Sequence, residues 1–401
     1  METYYIKSVI GEIAKGIDRL IEQGIICSDK KVLLYGLDRY SFAMRTILSN
    51  KGYRNIEGYV SDDEAAVVEH NCDIKNFACR YLNDDSGLIQ VSTIKGRLVP
   101  FDENVTILIA SKSYILEKEK LERLGYCENI HFYKVYDFVD EALDRLVLNK
   151  RRMTMKEMQT TEKNILSYVD HVCRKHNLRY WVCGGTLLGT IRHKGFIPWD
   201  DDIDIFLPLQ DYRRLIEIFE ENEQYTMMGM GTSEVNDYTD MFAKVVDKKT
   251  ILIEDIGTVR KINPVWIDVF PLVGLPGDEE ERLVFFKKYK EVKRRIWEDF
   301  YASNGSTGVF SKWYGKQKEF LEKYDFDNSE YVGVFGTVYD ERDATTRRVY
   351  ESTIRMSFED IEVNVPVGYQ EYLDNLYGKD WMQLPDESKR QSHHDIEAYW
   401  L

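Results

Sequence analysis

The stretch HKGFIPWDDDIDIFLPL, residues 193–209, sets four aspartates within five positions and then runs directly into an apolar segment. Side chains along a strand alternate faces with period two. A strand over 203–207 therefore puts Asp200, Asp202 and Asp204 on one face and Ile203 and Ile205 on the other, with Asp201 pointing away from the carboxylate row. An acidic surface kept for solubility has no need to alternate with buried isoleucines. Two carboxylates two residues apart on one face suit Mg²⁺ or Mn²⁺, which take hard oxygen ligands.

A second aspartate-bearing strand is expected at WIDVFPL, residues 266–272, where Trp266 and Asp268 share one face and Ile267 and Val269 the other. If this strand lies beside the first, Asp268 joins Asp202 and Asp204 in a triad. Three such carboxylates repel one another unless cations balance them. Upstream, LRYWVCGG reads as a strand that stops at Gly184 and Gly185, followed by a short helix through Thr186, Leu187, Leu188 and Ile191. Glycines at a strand-to-helix turn let backbone approach a ligand closely, and the helix N–H groups favour a phosphate. Thr186 adds a hydroxyl there, and Arg192, His193 and Lys194 supply positive charge between the helix and the acidic strand. Together these features point to a metal-assisted phosphoryl-type site, where alignment and charge compensation dominate.

The rest of the chain sets bounds. Its 401 residues suit two or three domains. A net charge of −15 excludes a general nucleic-acid binder. The six cysteines form no CxxC pair, so reduced thiols are expected. METYYIKSVIGEIAKG lacks the features of a signal peptide and no run approaches 18 apolar residues, which together point to the cytoplasm.

Periodicity predicts a helix over 5–22 and a small parallel α/β unit over 23–135. After its first strand comes GLDRYS, with one glycine where a dinucleotide fingerprint wants two or three; Asp62 ends the next strand. This weakens an oxidoreductase reading. A helical linker is expected over 136–160 and a helix over 161–177. Further expectations are a helix at 211–222, strands at 241–247 and 250–254, a charged helix at 280–300 and a loop at 301–308. A hairpin within 350–366 and a helix over Tyr369–Leu376 follow.

The stretch LRYWVCGGTLLGTIRHKGFIPWDDDIDI, with WIDVFPL and FEDIEVNVPVGYQEYLDNLYGKDWMQLP, resembles the LicD family, a branch of the nucleotidyltransferase-fold superfamily that includes the fukutin-related proteins. The likeness covers roughly residues 160–395. It implies a C-terminal nucleotidyltransferase-fold domain over 151–401, a mixed sheet with helices; residues 1–150 lie outside it and resemble the small Rossmann-like modules found ahead of several sugar- and envelope-modifying enzymes, so an α/β chain in two parts is expected. The LicD likeness implies phosphates held at Gly184 and Gly185, a metal pair at Asp202 and Asp204, a third carboxylate at Asp268, and support from Asp200 and Asp201. His393 and His394 would close the cleft. The implied reaction moves a phospho-alcohol such as phosphocholine from a CDP-linked donor to a hydroxyl of a cell-envelope glycan or lipid-linked precursor such as teichoic acid or lipopolysaccharide. It releases CMP in the cytoplasm or at the inner face of the membrane, with peripheral membrane contact and no nucleic acid involved. Phe335, Tyr339, Tyr350 and Tyr377 are candidates to cage a quaternary ammonium. Two other readings stay open: a nucleotidyltransferase making an NDP-linked product, and a non-enzymatic sugar-phosphate-binding scaffold.

Overall fold

The computed structural model describes residues 5–36, 39–61, 91–93, 104–111, 114–136, 146–229, 242–256, 259–303, 306, 308–334, 339–387, 390 and 396–401. The chain is mixed α/β. In the N-terminal part, strands β2 (Lys31–Tyr35), β3 (Ile56–Ser61), β4 (Val91–Thr93), β5 (Val105–Ile109) and β6 (Phe132–Lys134) form one parallel sheet in the order β4-β3-β2-β5-β6. The strand order reverses between β2 and β5, a topological switch point. Apolar runs such as Val32–Tyr35 make these strands, because a parallel sheet is covered on both faces.

The larger sheet is built on two long antiparallel strands, β10 (Ala243–Ile256) and β11 (Val259–Leu275). Two separate strands were expected over 241–254, but one strand runs through both, with a register irregularity between Asp247 and Leu252. The intervening Thr250 stays inside by bonding: its hydroxyl donates to Asp247 O and accepts Val265 N–H. Strand β11 is also longer than the predicted 266–272. Its start pairs with β1 (Tyr5–Ser8) and its middle runs parallel to β8 (Asp204–Pro208). The expected helix over 5–22 is therefore split, since Tyr5–Ser8 takes a sheet edge and α1 (Val9–Glu22) begins only where the Ser8 hydroxyl caps Gly11 N–H. The buried face of α1 shares a core with α2 (Arg39–Asn50) and with α7 (Glu279–Ala302) and α8 (Gly308–Leu321). Helix α8 was not anticipated, and α7 runs two residues into the predicted 301–308 loop.

Around the acidic strand the prediction is closer. Helix α4 (Met155–Lys175) starts in a capping box, with Thr154 and Glu157 reciprocally bonded, inside what was read as linker. It packs on β10 and β11. Strand β7 (Trp181–Val182) leads into α5 (Gly184–Arg192), then β8 and α6 (Leu209–Ile218). The hairpin of β14 (Thr353–Phe358) and β15 (Ile361–Pro366) is present, as is α9 (Tyr369–Tyr377). No helix among the described residues is long and apolar enough to cross a membrane.

Candidate active site

Strands β8 and β11 lie side by side in parallel, and their register pairs Asp204 with Asp268. Both aspartates therefore leave the same face of the sheet from adjacent positions, while Ile203, Ile205, Ile267 and Val269 fill the core behind them. The juncture is tied by backbone bonds. Asp268 N–H donates to Ile203 O at 2.8 Å, and Cys183 N–H donates to Asp204 O at 3.1 Å. Thr186, expected at a phosphate, is buried; its hydroxyl accepts Asp204 N–H at 2.9 Å and so locks the head of β8 to helix α5.

The glycine turn sits directly on the carboxylates. Gly184 holds φ at +52°, a left-handed value that strains other residues. A Cβ at Gly185 would lie 2.5 Å from Asp200 Oδ2, and one at Gly184 would lie 3.2 Å from Asp204 Oδ2. The turn is held from behind, where Gly184 N–H donates to Tyr372 Oη and the Tyr372 hydroxyl donates to Asp343 Oδ1.

Strict alternation fails just before β8. The strand begins at Asp204, and Asp200 sits in a turn in which its N–H donates to Ile197 O. Asp201 consequently does not point away. One carboxylate oxygen from each of Asp200, Asp201 and Asp202 falls within 4.8 Å of the others. Burial, then the charges of Asp202, Asp268 and Asp200, push the Asp204 carboxyl well above its ordinary range, against the pull of Lys244. A site this acidic and this buried fits hard divalent cations.

Two contributors escaped the sequence reading. Lys244 faces Asp268 across β10 and β11, and its Nζ donates to Asp268 Oδ1 at 2.5 Å while lying 4.0 Å from the Trp266 ring centre. A lysine inside the apolar run MFAKVVD was the signal. Glu162 is 2% exposed on α4 and faces the same aspartates.

A cavity of about 450 Å³ opens over this cluster. Asp200, Asp202 and Asp204 line it together with Tyr339, Tyr377 and Trp381. The Tyr339 and Tyr377 hydroxyls lie 3.2 Å apart. Tyr350 is elsewhere, packed 5.0 Å from the Trp181 ring, and Phe335 lies outside the described residues. Arg192 reaches the cavity, with its guanidinium donating to Trp381 O and Gln383 O. His193 caps the end of α5, its imidazole held below the usual histidine range by burial and by Arg192. Lys194 is exposed in the turn beyond, and His393 and His394 lie outside the described residues.

The family model described as LicD/FKTN/FKRP, nucleotidyltransferase domain, matches residues 177–293, a span that holds the glycine turn, both aspartate strands and Lys244. The match places the chain among transferases. Lipopolysaccharide cholinephosphotransferase LicD of Haemophilus influenzae is 31% identical over 268 residues, covering 63% of this chain and 100% of that protein. Human ribitol 5-phosphate transferase FKRP is 48% identical over 44 residues, covering 11% of this chain and 9% of that protein. The uncharacterized protein RP689 of Rickettsia prowazekii is 30% identical over 95 residues, covering 23% of this chain and 33% of that protein. The chain belongs to the LicD family.

Proposed function

We propose that this protein transfers a phospho-alcohol group from a CDP-linked donor to a hydroxyl of a cell-envelope glycan or its lipid-linked precursor, releasing CMP. The observation behind this reading is the register pairing of Asp268 with Asp204, which itself lines a cavity shared with Tyr339, Tyr377 and Trp381. The names of the relatives, one acting with phosphocholine and one with ribitol 5-phosphate, favour the same reaction type.

Asp202, Asp204 and Asp268 would hold Mg²⁺ or Mn²⁺, which when bound supplies counter-charge to the phosphates and to the oxygens that enter and leave. Asp268 orients the acceptor hydroxyl and takes its proton as the new O–P bond forms. The bridging P–O bond to CMP breaks, and CMP leaves with the bridging oxygen. The Gly184–Gly185 turn brings backbone close to the phosphates. Lys244 steadies Asp268 and adds positive charge beside it. Tyr339 and Tyr377 offer ring faces to the alcohol headgroup, which suits a quaternary ammonium. All of these groups fall within 151–401, which we read as the catalytic part; 1–150 is the Rossmann-like part, joined to it by β1 on β11 and by the core that α1 and α2 share with α7 and α8. The reaction belongs in the cytoplasm or at the inner face of the membrane, where a nucleotide-linked donor is at hand.

Incubation of the purified protein with a panel of CDP-alcohols, MgCl₂ and candidate acceptors tests this by mass spectrometry. CMP together with a phosphorylated acceptor is expected. Pyrophosphate released from CTP would instead establish nucleotidyl transfer, and binding without turnover would establish a scaffold.

A further inference from the structure

Helix α4 brings one more carboxylate to the aspartates. Gln159 and Glu162 are one turn apart on that helix, so they share a face. Gln159 Nε2 donates to the backbone carbonyl of Asp200 at 2.9 Å, which fixes that face against the Asp200–Asp202 turn. Glu162 is 2% exposed, and its Oε2 has no hydrogen-bond partner among the described residues.

An orphaned carboxylate oxygen in such a place is costly. A buried polar atom without a partner loses its hydration and recovers nothing. An ion pair does not compensate it either, because its strongest electrostatic neighbours, in falling order, are Asp202, Asp201, Asp200 and Asp268, all of like sign. A residue held only for packing would be better served there by leucine or methionine. A carboxylate in a ring of carboxylates makes physical sense when a cation sits between them.

The geometry divides the cluster into two halves. Asp204 and Asp268 are paired by strand register on one side. Asp200, Asp201 and Asp202 converge within 4.8 Å on the other, on the side that α4 covers. Asp202 belongs to both, since it is the foremost like-charged neighbour of Asp204 and of Glu162.

We infer that Glu162 is a ligand of a second divalent cation, seated between Glu162 and the Asp200–Asp202 turn and bridged through Asp202 to the ion at Asp204 and Asp268. This rests on the proposed metal dependence and deepens it. The two seats are built differently: one on a rigid strand pair, the other between a turn and a helix.

Titration of the full chain with MnCl₂, read by calorimetry and by electron paramagnetic resonance, tests the inference without any turnover. The wild type is expected to take two Mn²⁺ per chain, with the spectrum of a spin-coupled pair. Glu162→Gln, which keeps the shape and removes the charge, is expected to weaken one ion by at least about ten-fold and to leave an isolated-Mn²⁺ spectrum. Its unfolding midpoint in EDTA should equal or exceed that of the wild type, since a like charge has been removed. Should Glu162→Gln fail to fold, Asp201→Asn is expected to lose the same ion. Two ions at wild-type affinity in the folded variants, or a single ion in the wild type, would overturn the inference and leave the Asp204–Asp268 seat standing. A wild type that binds no Mn²⁺ would overturn the metal reading as a whole.

Discussion

Asp204 and Asp268, 64 positions apart in sequence, are register partners on neighbouring parallel strands. Each alone is an acidic residue in an apolar strand. Side by side they form a pair whose mutual repulsion demands a counter-charge, and Lys244 supplies part of it from the next strand. Lys244 is buried and pinned between Asp268 and Trp266, so it reads as a fixed element of the site.

Asp204→Asn should abolish transfer, by at least about a thousand-fold or ~4 kcal/mol of barrier. The fold should survive, because the change removes one of several repelling charges and keeps the side chain's shape. CMP release under saturating MgCl₂, with circular dichroism as the control, checks this; retained turnover would count against the site.

Lys244→Met takes away the Asp268 partner while keeping an unbranched side chain against Trp266. Breaking a buried pair costs about 3–5 kcal/mol, so the unfolding midpoint in EDTA should fall. Divalent cation should restore more stability to this variant than to the wild type, because it replaces the missing charge. Thermal melts with and without MgCl₂ give both numbers.

Gly185→Ala would place a methyl 2.5 Å from Asp200 Oδ2. The Asp200 carboxylate must swing away, so Mn²⁺ affinity should drop by about ten-fold. Stability should change by no more than ~1 kcal/mol, since a side-chain end moves rather than backbone. Gly184→Ala differs: at φ +52° it should destabilise by about 1–2 kcal/mol.

Tyr377→Ala should raise KM for a CDP-alcohol bearing a quaternary ammonium far more than for a neutral one. Tyr377→Phe, which keeps the ring face, should behave like the wild type. Equal losses for both donors in Tyr377→Ala would point to general packing of the cavity wall.

A pH effect is expected away from the site, at the start of α4. The Glu157 carboxylate is held down at about 2, first by its bond with Arg151 and then by Thr154 N–H. A lowered carboxylate stabilises its helix start above the ordinary value near 4.5, and that contribution is lost as pH falls toward 2. Protection from amide exchange at residues 155–159, taken relative to the unstructured rate at each pH, should fall over that window in the wild type, and Glu157→Gln should flatten the dependence.

The sequence by itself determined which residues carry the charge and that Asp204 and Asp268 lie on strands, while Asp202 falls just ahead of β8. Asp202, Asp204 and Asp268 stand out because carboxylates interrupt isoleucine and valine at period two, and that pattern is local. Helices with one apolar stripe were legible for the same reason, expected over 161–177 and 369–376 and found over 155–175 and 369–377, the early start of the first being set by its capping box. Failures came where a distant partner decided the outcome. Tyr5–Ser8 leaves its helix for a sheet edge because it pairs with Val259–Ile262 of β11, far along the chain. Asp201 turns inward because the chain just past the 197–200 turn is still irregular and strand alternation has not begun.

Only the tertiary structure decided that Asp204 meets Asp268, that Lys244 arrives from a third strand, and that Glu162 descends from a helix onto Asp200–Asp202. Short-range pattern specifies a side chain's face on its own element. Which faces meet depends on strand order and register, set by the whole sheet closing over a common core.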